Sequence, residues 1–237
     1  MAMGIGKILA VGWDTDGIIV NTEPLHLEAF NKALDITGFY PVSKEDYFKT
    51  YISYDDKNFF ENYLKNIGKN PSKQDIENLC TKKSVLFSLL EQEADNLFYP
   101  GVIEAIKKIN EYGLRQFNVT GTLRNEAVAH LKKGSIENYF EFIVASEDVI
   151  NSKPHPEPYL KALKRLNEKK EIGASSCIVL EDSCGGVKSA KAAGMNVVAI
   201  TNTTTPENLK NAGADLVFKE INPELFLNYI RMKSENL

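Results

Sequence analysis

Two aspartates two positions apart, Asp14 and Asp16, have the types and spacing to do chemistry near the start of the chain. They follow the apolar run 8–11, which predicts a buried strand, and Gly17 allows the chain to turn tightly after them. Such a turn directs both acids beyond the carboxyl end of a strand, where open α/β sheets bind ligands. Two carboxylates about 4 Å apart repel by about 4 kcal/mol at an effective dielectric constant of about 20. A site that keeps both ionised therefore requires a cation.

Two other interpretations of this acidic turn stay open from the residues alone. The first is an Asx-type turn without a chemical role, since Asp and Gly are common turn residues. The second is a calcium-binding loop, but the glycine and the final glutamate of such a loop would fall at other offsets.

Three further polar clusters follow apolar runs later in the chain. Thr120 and Gly121 open a strand-to-helix turn whose hydroxyl and N–H groups suit a phosphate, although such residues also begin ordinary helices. Lys153 follows the next apolar run, and a lone lysine is commonly solvated. Glu181 and Asp182 come directly after the apolar run 178–180. Because unpaired buried charge is costly, this acidic pair predicts a functional role.

The hydrophobic pattern divides the chain into an all-helical stretch and an alternating one. Between residues 22 and 98, apolar residues recur at intervals of three and four, which predicts helices. From Pro100 onward, helical patterns alternate with short apolar runs, which predicts βαβ units and a parallel, doubly wound sheet. The predicted strands are residues 8–11, 114–119, 142–145, 177–180, 196–200 and 215–218.

The first predicted strand belongs to this sheet although the helical stretch separates it from the others. We therefore predict an α/β, Rossmann-like core formed by residues 1–21 and 99–237. A small all-helical domain, residues 22–98, is inserted into it after the acidic turn.

The predicted strand 114–119 departs from the pattern of a central parallel strand, which is ordinarily almost entirely apolar. Arg115, Gln116 and Asn118 interrupt it. Either the strand is shorter than this range, or these side chains meet polar partners.

The composition excludes several classes of function. The 237 residues carry a formal net charge of -4, which gives no electrostatic reason to expect a nucleic acid or an anionic membrane as partner. No apolar run approaches the roughly 20 residues of a membrane span, and residues 1–10 lack a signal-sequence core. The three cysteines fit no metal-ligand spacing. We expect a cytoplasmic protein with reduced thiols, either a monomer or a weak homo-oligomer.

Taken in order, the four polar clusters resemble the motifs of the haloacid dehalogenase superfamily of phosphotransferases. The resemblance also includes residues 21–26, 152–156 and 181–195, and it covers nearly the whole predicted core. It implies that residues 22–98 are the family's smaller cap, in the branch of phosphoglycolate phosphatase-like and β-phosphoglucomutase-like enzymes. Trp13 and Thr15 depart from the family pattern, which commonly has Phe and an aliphatic residue there.

The resemblance implies an aspartyl-phosphate mechanism. Asp14 would attack phosphorus, and Asp16 would protonate the leaving oxygen and then deprotonate the attacking water. Thr120, the N–H of Gly121 and Lys153 would stabilise the transferring phosphoryl group.

The resemblance also implies a Mg²⁺ cofactor. Its ligands would be the Asp14 carboxylate, the Asp16 carbonyl and the acidic pair Glu181 and Asp182. The ion would let two anions, Asp14 and a phosphate, approach each other.

The expected function is hydrolysis of a small phosphorylated metabolite such as a sugar or polyol phosphate. A sugar-phosphate mutase is the alternative, but Tyr54 stands where such mutases place an arginine for a second phosphate. His26 is a candidate substrate contact or a packing residue near the hinge, and it occurs in mutases and phosphatases alike. Arg124 is a candidate contact that either reaches a substrate anion or forms a salt bridge. A catalytically silent binding protein is the third possibility, and the presence of every core motif argues against it.

Overall fold

The computed structural model describes residues 7–52, 54–94 and 97–235. The contacts within the chain divide it into two units, Met1–Asn21 with Phe98–Leu237, and Thr22–Leu97. This division lies one residue from the predicted boundary. The prediction that residues 1–10 lack a signal-sequence core concerns a segment of which residues 1–6 lie outside the described residues. Among the described residues, no helix has the length and apolar character to cross a membrane.

The larger unit is built on a parallel sheet of six strands in the order β3-β2-β1-β4-β5-β6. This finding confirms the predicted doubly wound α/β core. The strands are β1 (Ala10–Trp13), β2 (Arg115–Val119), β3 (Ile143–Val144), β4 (Cys177–Glu181), β5 (Asn196–Ile200) and β6 (Leu216–Phe218).

The smaller unit is helical in the residues that the structure describes. Three of its helices have an N-cap residue whose side chain accepts a hydrogen bond from a backbone N–H of the first turn; these residues are Ser43, Asp55 and Ser72. Ser72 also forms a capping box with Asp75. Its helices are α1 (Glu23–Ile36), α2 (Lys44–Asp46), which continues as a π-helical turn over Tyr47–Tyr51, α3 (Asp56–Asn66) and α4 (Lys73–Glu93).

Six α-helices of the larger unit follow in chain order. They are α5 (Val102–Glu111), α6 (Arg124–Lys133), α7 (Glu157–Asn167), α8 (Cys184–Ala192), α9 (Pro206–Asn211) and α10 (Pro223–Glu235). Buried side chains of β1, β2, β4 and β5 form a hydrophobic core with side chains of α7, α8 and α9. Trp13 packs edge-on against Phe226 of α10 with the ring centroids 5.9 Å apart. Helices thus hold the strands in place. Asp14, Thr120 and Asp182 follow directly after the carboxyl ends of β1, β2 and β4.

The polar side chains of β2 have partners, so the second of the two explanations for this strand is correct. Gln116 accepts a hydrogen bond from the Trp13 indole N–H at 3.0 Å and donates one to the Ile106 carbonyl at 3.0 Å. Arg115 forms an ion pair with Glu141, 2.7 Å from Nε to the carboxylate. The strand keeps its full predicted length to within one residue because each interruption is satisfied.

Asn118 connects β2 to the chain beside the first acidic turn. Its amide nitrogen donates to the Trp13 carbonyl and to Thr15 Oγ1, both at 2.9 Å. All three residues are fully buried. The polar residue in the middle of an apolar strand therefore fixes the position from which Asp14 emerges.

Candidate active site

The first acidic turn begins directly after β1. Asp14 is 8% exposed, and its Oδ1 accepts a hydrogen bond from the Thr15 N–H at 2.9 Å. The N–H groups of Ile19 and Val20 both donate to the Thr15 carbonyl, which closes the turn. Gly17 has φ +77°, a conformation that a side chain makes costly, so the predicted need for glycine has a physical basis. Asp16 is half-buried in this turn.

Lys153 joins the first and last clusters of the sequence. Its Nζ donates to Asp14 Oδ1 at 2.8 Å and to the Val119 carbonyl at 3.1 Å, and it lies 2.7 Å from Glu181 Oε1. The side chain is 14% exposed. Three segments that are far apart in the sequence therefore meet at one ammonium group.

The acidic pair that ends β4 lies against the first turn. One oxygen from each of Asp14, Glu181 and Asp182 lies within 4.8 Å of the other two. Glu181 is 0% and Asp182 2% exposed. A Cβ at Gly17 would overlap the Asp182 carboxylate, so this glycine also provides the space for the acidic pair.

The electrostatics of this cluster favour an additional cation. Burial, with the neighbouring charge of Glu181, raises the pKa of Asp182 to about 7. The same two causes raise the pKa of Asp14 well above its ordinary value, although Lys153 acts in the opposite direction. Burial disfavours the charged ammonium, but the carboxylates of Asp14 and Glu181 raise the pKa of Lys153 above its usual range. One ammonium faces three carboxylates, and a cation is the group that restores the balance.

The residues fit a hard divalent cation such as Mg²⁺. In the described part of the chain, the buried oxygen Asp182 Oδ2 accepts no hydrogen bond. An orphaned buried carboxylate oxygen is costly unless it is paired or coordinates a metal. Carboxylate oxygens at close range are the ligands that Mg²⁺ prefers.

Glu181 is held by neighbours on both of its oxygens. Tyr159 donates from its hydroxyl to Oε1 at 2.6 Å, and Ser183 Oγ lies 3.3 Å from Oε2. Burial and the charge of Glu181 raise the pKa of Tyr159 well above its ordinary value. The phenol therefore stays protonated and can donate this hydrogen bond. A Cβ at Gly186 would overlap the Glu181 carboxylate.

The Thr120–Gly121 turn lies at the end of β2, next to the Val119 carbonyl that Lys153 contacts. Register pairs Trp13 with Asn118, so Asp14 and this turn follow neighbouring strands at the same edge of the sheet. Thr120 is 4% exposed, and its Oγ1 lies 2.8 Å from Thr122 Oγ1 and accepts from the Thr122 N–H at 3.1 Å.

Arg124 and His26 are the two remaining predicted substrate contacts, and both have partners within their own unit. The Arg124 guanidinium forms an ion pair with Asp148 and donates to the Ile143 carbonyl at 3.1 Å, which is the salt-bridge alternative. His26 belongs to the helical unit, where its Nδ1 lies 2.8 Å from Lys83 Nζ and its ring stacks on Phe87.

Two residues near the site were missed as site residues by sequence reasoning. Asn118 was noticed as a misfit, and that misfit was the available signal. Tyr159 carries the apolar periodicity of α7 and gives no sign that its hydroxyl reaches Glu181 across 22 positions.

Comparisons with known proteins agree with this geometry. A family model described as haloacid dehalogenase-like hydrolase matches residues 11–200. A phosphorylated carbohydrates phosphatase from Thermotoga maritima is 30% identical in an alignment of 229 residues that covers 94% of this chain and 98% of the relative.

Two solved structures share the fold over nearly their whole length. CbbY from Rhodobacter sphaeroides, crystallised with xylulose-(1,5)bisphosphate, has a TM-score of 0.69 and 26% identity, covering 90% of this chain and 94% of the other. A β-phosphoglucomutase from Clostridium difficile has a TM-score of 0.68 and 24% identity, covering 97% and 98%, and it supports the fold.

The predicted resemblance is thereby confirmed, and the phosphatase name of the Thermotoga maritima relative agrees with the expected phosphoric monoester hydrolase. The family match, the parallel sheet and the meeting of Lys153, Glu181 and Asp182 with Asp14 lead to one conclusion. The chain belongs to the haloacid dehalogenase-like hydrolase family.

Proposed function

We propose that this protein is a Mg²⁺-dependent phosphatase that hydrolyses a small phosphorylated metabolite of the sugar or polyol phosphate type. The observation that carries the proposal is the position of Lys153, whose Nζ lies 2.8 Å from Asp14 and 2.7 Å from Glu181 beside a buried acidic cluster. This arrangement combines a carboxylate nucleophile with a fixed cation for an anionic substrate.

We assign the metal to the carboxylates of Asp14, Glu181 and Asp182 and to the backbone carbonyl of Asp16. The Asp182 oxygen without a hydrogen bond supports the assignment. When bound, the ion supplies positive charge that offsets the repulsion between Asp14 and the substrate phosphate.

We propose that Asp14 Oδ2 attacks phosphorus, since Oδ1 is held by Lys153 and by the Thr15 N–H. The bond between phosphorus and the leaving oxygen breaks, and the Asp16 carboxyl group gives that oxygen its proton. The Asp16 carboxylate then takes a proton from a water molecule that attacks the phosphorus of the aspartyl-phosphate. Inorganic phosphate leaves, and Asp14 returns to its starting state.

Thr120, Gly121 and Lys153 would bind the phosphoryl group while it is transferred. The Lys153 ammonium is fixed by three oxygens, so it loses little freedom when charge develops nearby. Gly121 is exposed, and a Cβ there would meet nothing within 4 Å, so its N–H stands at an open part of the turn.

The helical unit supports hydrolysis over a mutase reaction. It contains a cavity of about 520 Å³, and the carboxylates of Glu23, Asp55 and Asp56 are among its lining groups. Lys57 also lines it, but its Nζ lies 3.9 Å from Glu61. A mutase with a bisphosphate intermediate needs a second phosphate site, and such an acidic lining disfavours one.

Lys83 does not change this conclusion, because a carboxylate already balances its charge. Its Nζ donates to Asp56 Oδ1 at 2.7 Å, and the side chain is 3% exposed. Burial and the charge of Lys83 lower the pKa of His26 to about 3, so this imidazole is neutral at physiological pH. The lining therefore suits a neutral polyhydroxylated group better than a second phosphate.

The relatives' names supply the candidate substrates. A phosphorylated carbohydrates phosphatase and a CbbY crystallised with a pentulose bisphosphate both point to sugar phosphates. A sugar-phosphate mutase stays the alternative, since a β-phosphoglucomutase shares the fold.

A phosphate-release screen of phosphorylated metabolites tests the proposal, with and without Mg²⁺. We expect release from monophosphorylated sugars or polyols, reversible loss on chelation, and no conversion of β-glucose 1-phosphate to the 6-phosphate. Asp14→Asn should lower turnover at least about 1,000-fold while the circular dichroism spectrum is retained. Undiminished rates in excess chelator, or an active Asp14→Asn variant, would contradict the proposal.

A further inference from the structure

Tyr159 lies in the first turn of α7 and is fully buried beneath the site. Its hydroxyl donates to Glu181 Oε1 at 2.6 Å. A buried hydroxyl without a partner costs free energy, and phenylalanine would fill the same space without that cost. The contact with Glu181 is thus the feature that distinguishes tyrosine from phenylalanine here.

Tyr159 contacts both members of one ion pair. Glu181 Oε1 lies 2.7 Å from Lys153 Nζ, and the same Nζ lies 5.4 Å from the centroid of the Tyr159 ring. The hydroxyl thus orients the carboxylate, and the ring lies within cation–π distance of the ammonium. Lys153 in turn donates to Asp14 Oδ1 at 2.8 Å.

The other side of Glu181 offers little freedom. Ser183 Oγ lies 3.3 Å from Oε2, and Gly186 leaves space for the carboxylate that a side chain would fill. Removing the Tyr159 hydroxyl would take one hydrogen bond from Oε1 and leave the ion pair of Oε1 with Lys153 and this packing in place. The effect of the Tyr159 hydroxyl on the Glu181 carboxylate can therefore be tested without changing the packing around Ser183 and Gly186.

We infer that Tyr159 is a positioning residue: its hydroxyl fixes Glu181, and through Glu181 it holds Lys153 against Asp14 and keeps the acidic cluster arranged for a divalent cation. The inference rests on the proposed phosphatase function. It adds a residue that does not touch the phosphoryl group.

Tyr159→Phe in the full chain tests the inference, with Mg²⁺ binding measured by isothermal titration calorimetry. Loss of a partner that orients a metal ligand typically weakens metal affinity or activity by roughly 10–100-fold, and we expect a change of that size in the Mg²⁺ dissociation constant. We also expect kcat for an aryl phosphate at saturating Mg²⁺ to fall about tenfold, with KM nearly unchanged, because Lys153 is less firmly held.

Tyr63→Phe is the matched control. Tyr63 is also a buried tyrosine whose hydroxyl donates at 2.6 Å, but its acceptor is the Tyr40 carbonyl in the helical unit. We expect this variant to bind Mg²⁺ and to turn over as the wild type does.

Wild-type Mg²⁺ affinity and kcat in Tyr159→Phe would overturn the inference, even if the variant unfolds at a lower temperature. A wild-type chain that binds Mg²⁺ but releases phosphate from no phosphomonoester would refute the proposed function, and the titrations would still decide the role of Tyr159. A wild-type chain that binds no Mg²⁺ would overturn both.

Discussion

Gly186 lies in the first turn of α8, where the Glu181 carboxylate occupies the space that a side chain would need. Its neighbour Gly185 faces open space, since a Cβ there would meet nothing within 4 Å. Two adjacent glycines of one helix therefore have different reasons to be glycine. For Gly186 the reason is the position of an acid at the site.

This difference predicts different effects of alanine at the two positions. Gly186→Ala must displace Glu181 and should lower the free energy of unfolding by about 1–3 kcal/mol and weaken Mg²⁺ binding. Gly185→Ala should leave Mg²⁺ binding unchanged and have a neutral or slightly stabilising effect, because alanine is the better helix former. Urea unfolding and calorimetry measure both effects. Equal behaviour of the two variants would contradict the account of Gly186.

At the scale of elements, β2 shows how polar residues are accommodated in a central strand. Gln116 satisfies the Trp13 indole N–H and the Ile106 carbonyl, one on β1 and one on α5. A single side chain therefore connects three elements. Its removal leaves the buried Trp13 indole N–H without this partner, whereas the Ile106 carbonyl keeps its hydrogen bond within α5.

Gln116→Leu should lower the free energy of unfolding by about 1–3 kcal/mol, which is the usual cost of one unsatisfied buried polar group. Gln74→Leu is the control, because Gln74 is exposed and bonds to exposed Asn78, and we expect a change within about 0.5 kcal/mol. Urea denaturation followed by circular dichroism provides the measurement. A Gln116→Leu variant as stable as the control variant would show that the two hydrogen bonds of Gln116 contribute nothing to the free energy of unfolding.

The strands and helices could be predicted because their signal is local. Apolar runs alternating with amphipathic segments predict a parallel sheet, and the acids directly after such runs predict a site at its carboxyl edge. The partners of Gln116 and the contact of Tyr159 with Glu181 could not be predicted. They join residues that are 103 and 22 positions apart, and single-residue periodicity shows burial without showing the neighbour.

The partners of Lys153 and Arg124 likewise could not be predicted from the sequence. By its residue type alone Lys153 was a lone lysine whose role only the resemblance implied, and the structure joins it to a carboxylate 139 positions away. Arg124 is also a basic residue that follows a strand and was a candidate to bind a substrate anion, but its guanidinium forms an ion pair with Asp148. Charge and order along the chain suggested both residues, and the fold distinguishes them.

At the scale of the whole molecule, the stability of the chain should depend on pH through His26 of the helical unit. Burial and the charge of Lys83 lower its pKa from 6.5 to about 3. The unfolded chain binds a proton on this imidazole below pH 6.5 and the folded chain does not. The contribution is therefore fully present above pH 6.5 and is lost as the pH falls towards 3.

We expect the His26 contribution to the free energy of unfolding to decrease by about 2 kcal/mol between pH 7 and pH 5. His26→Asn keeps an acceptor near the position of Nδ1 but does not titrate, so it should lose less stability over the same range. Urea unfolding of both chains at pH 7, 6 and 5 gives the difference. A parallel loss in the two chains would contradict the pKa assigned to His26.

The proposed mechanism requires that the Asp14 carboxylate become covalently phosphorylated during turnover. The experiment quenches the enzyme in acid while it hydrolyses a sugar phosphate, reduces it with borohydride and sequences its peptides by mass spectrometry. Borohydride converts an aspartyl-phosphate to homoserine, and we expect homoserine at position 14 in the presence of substrate and none without it. Steady phosphate release with unmodified Asp14, or with the modification on another carboxylate, would contradict the account.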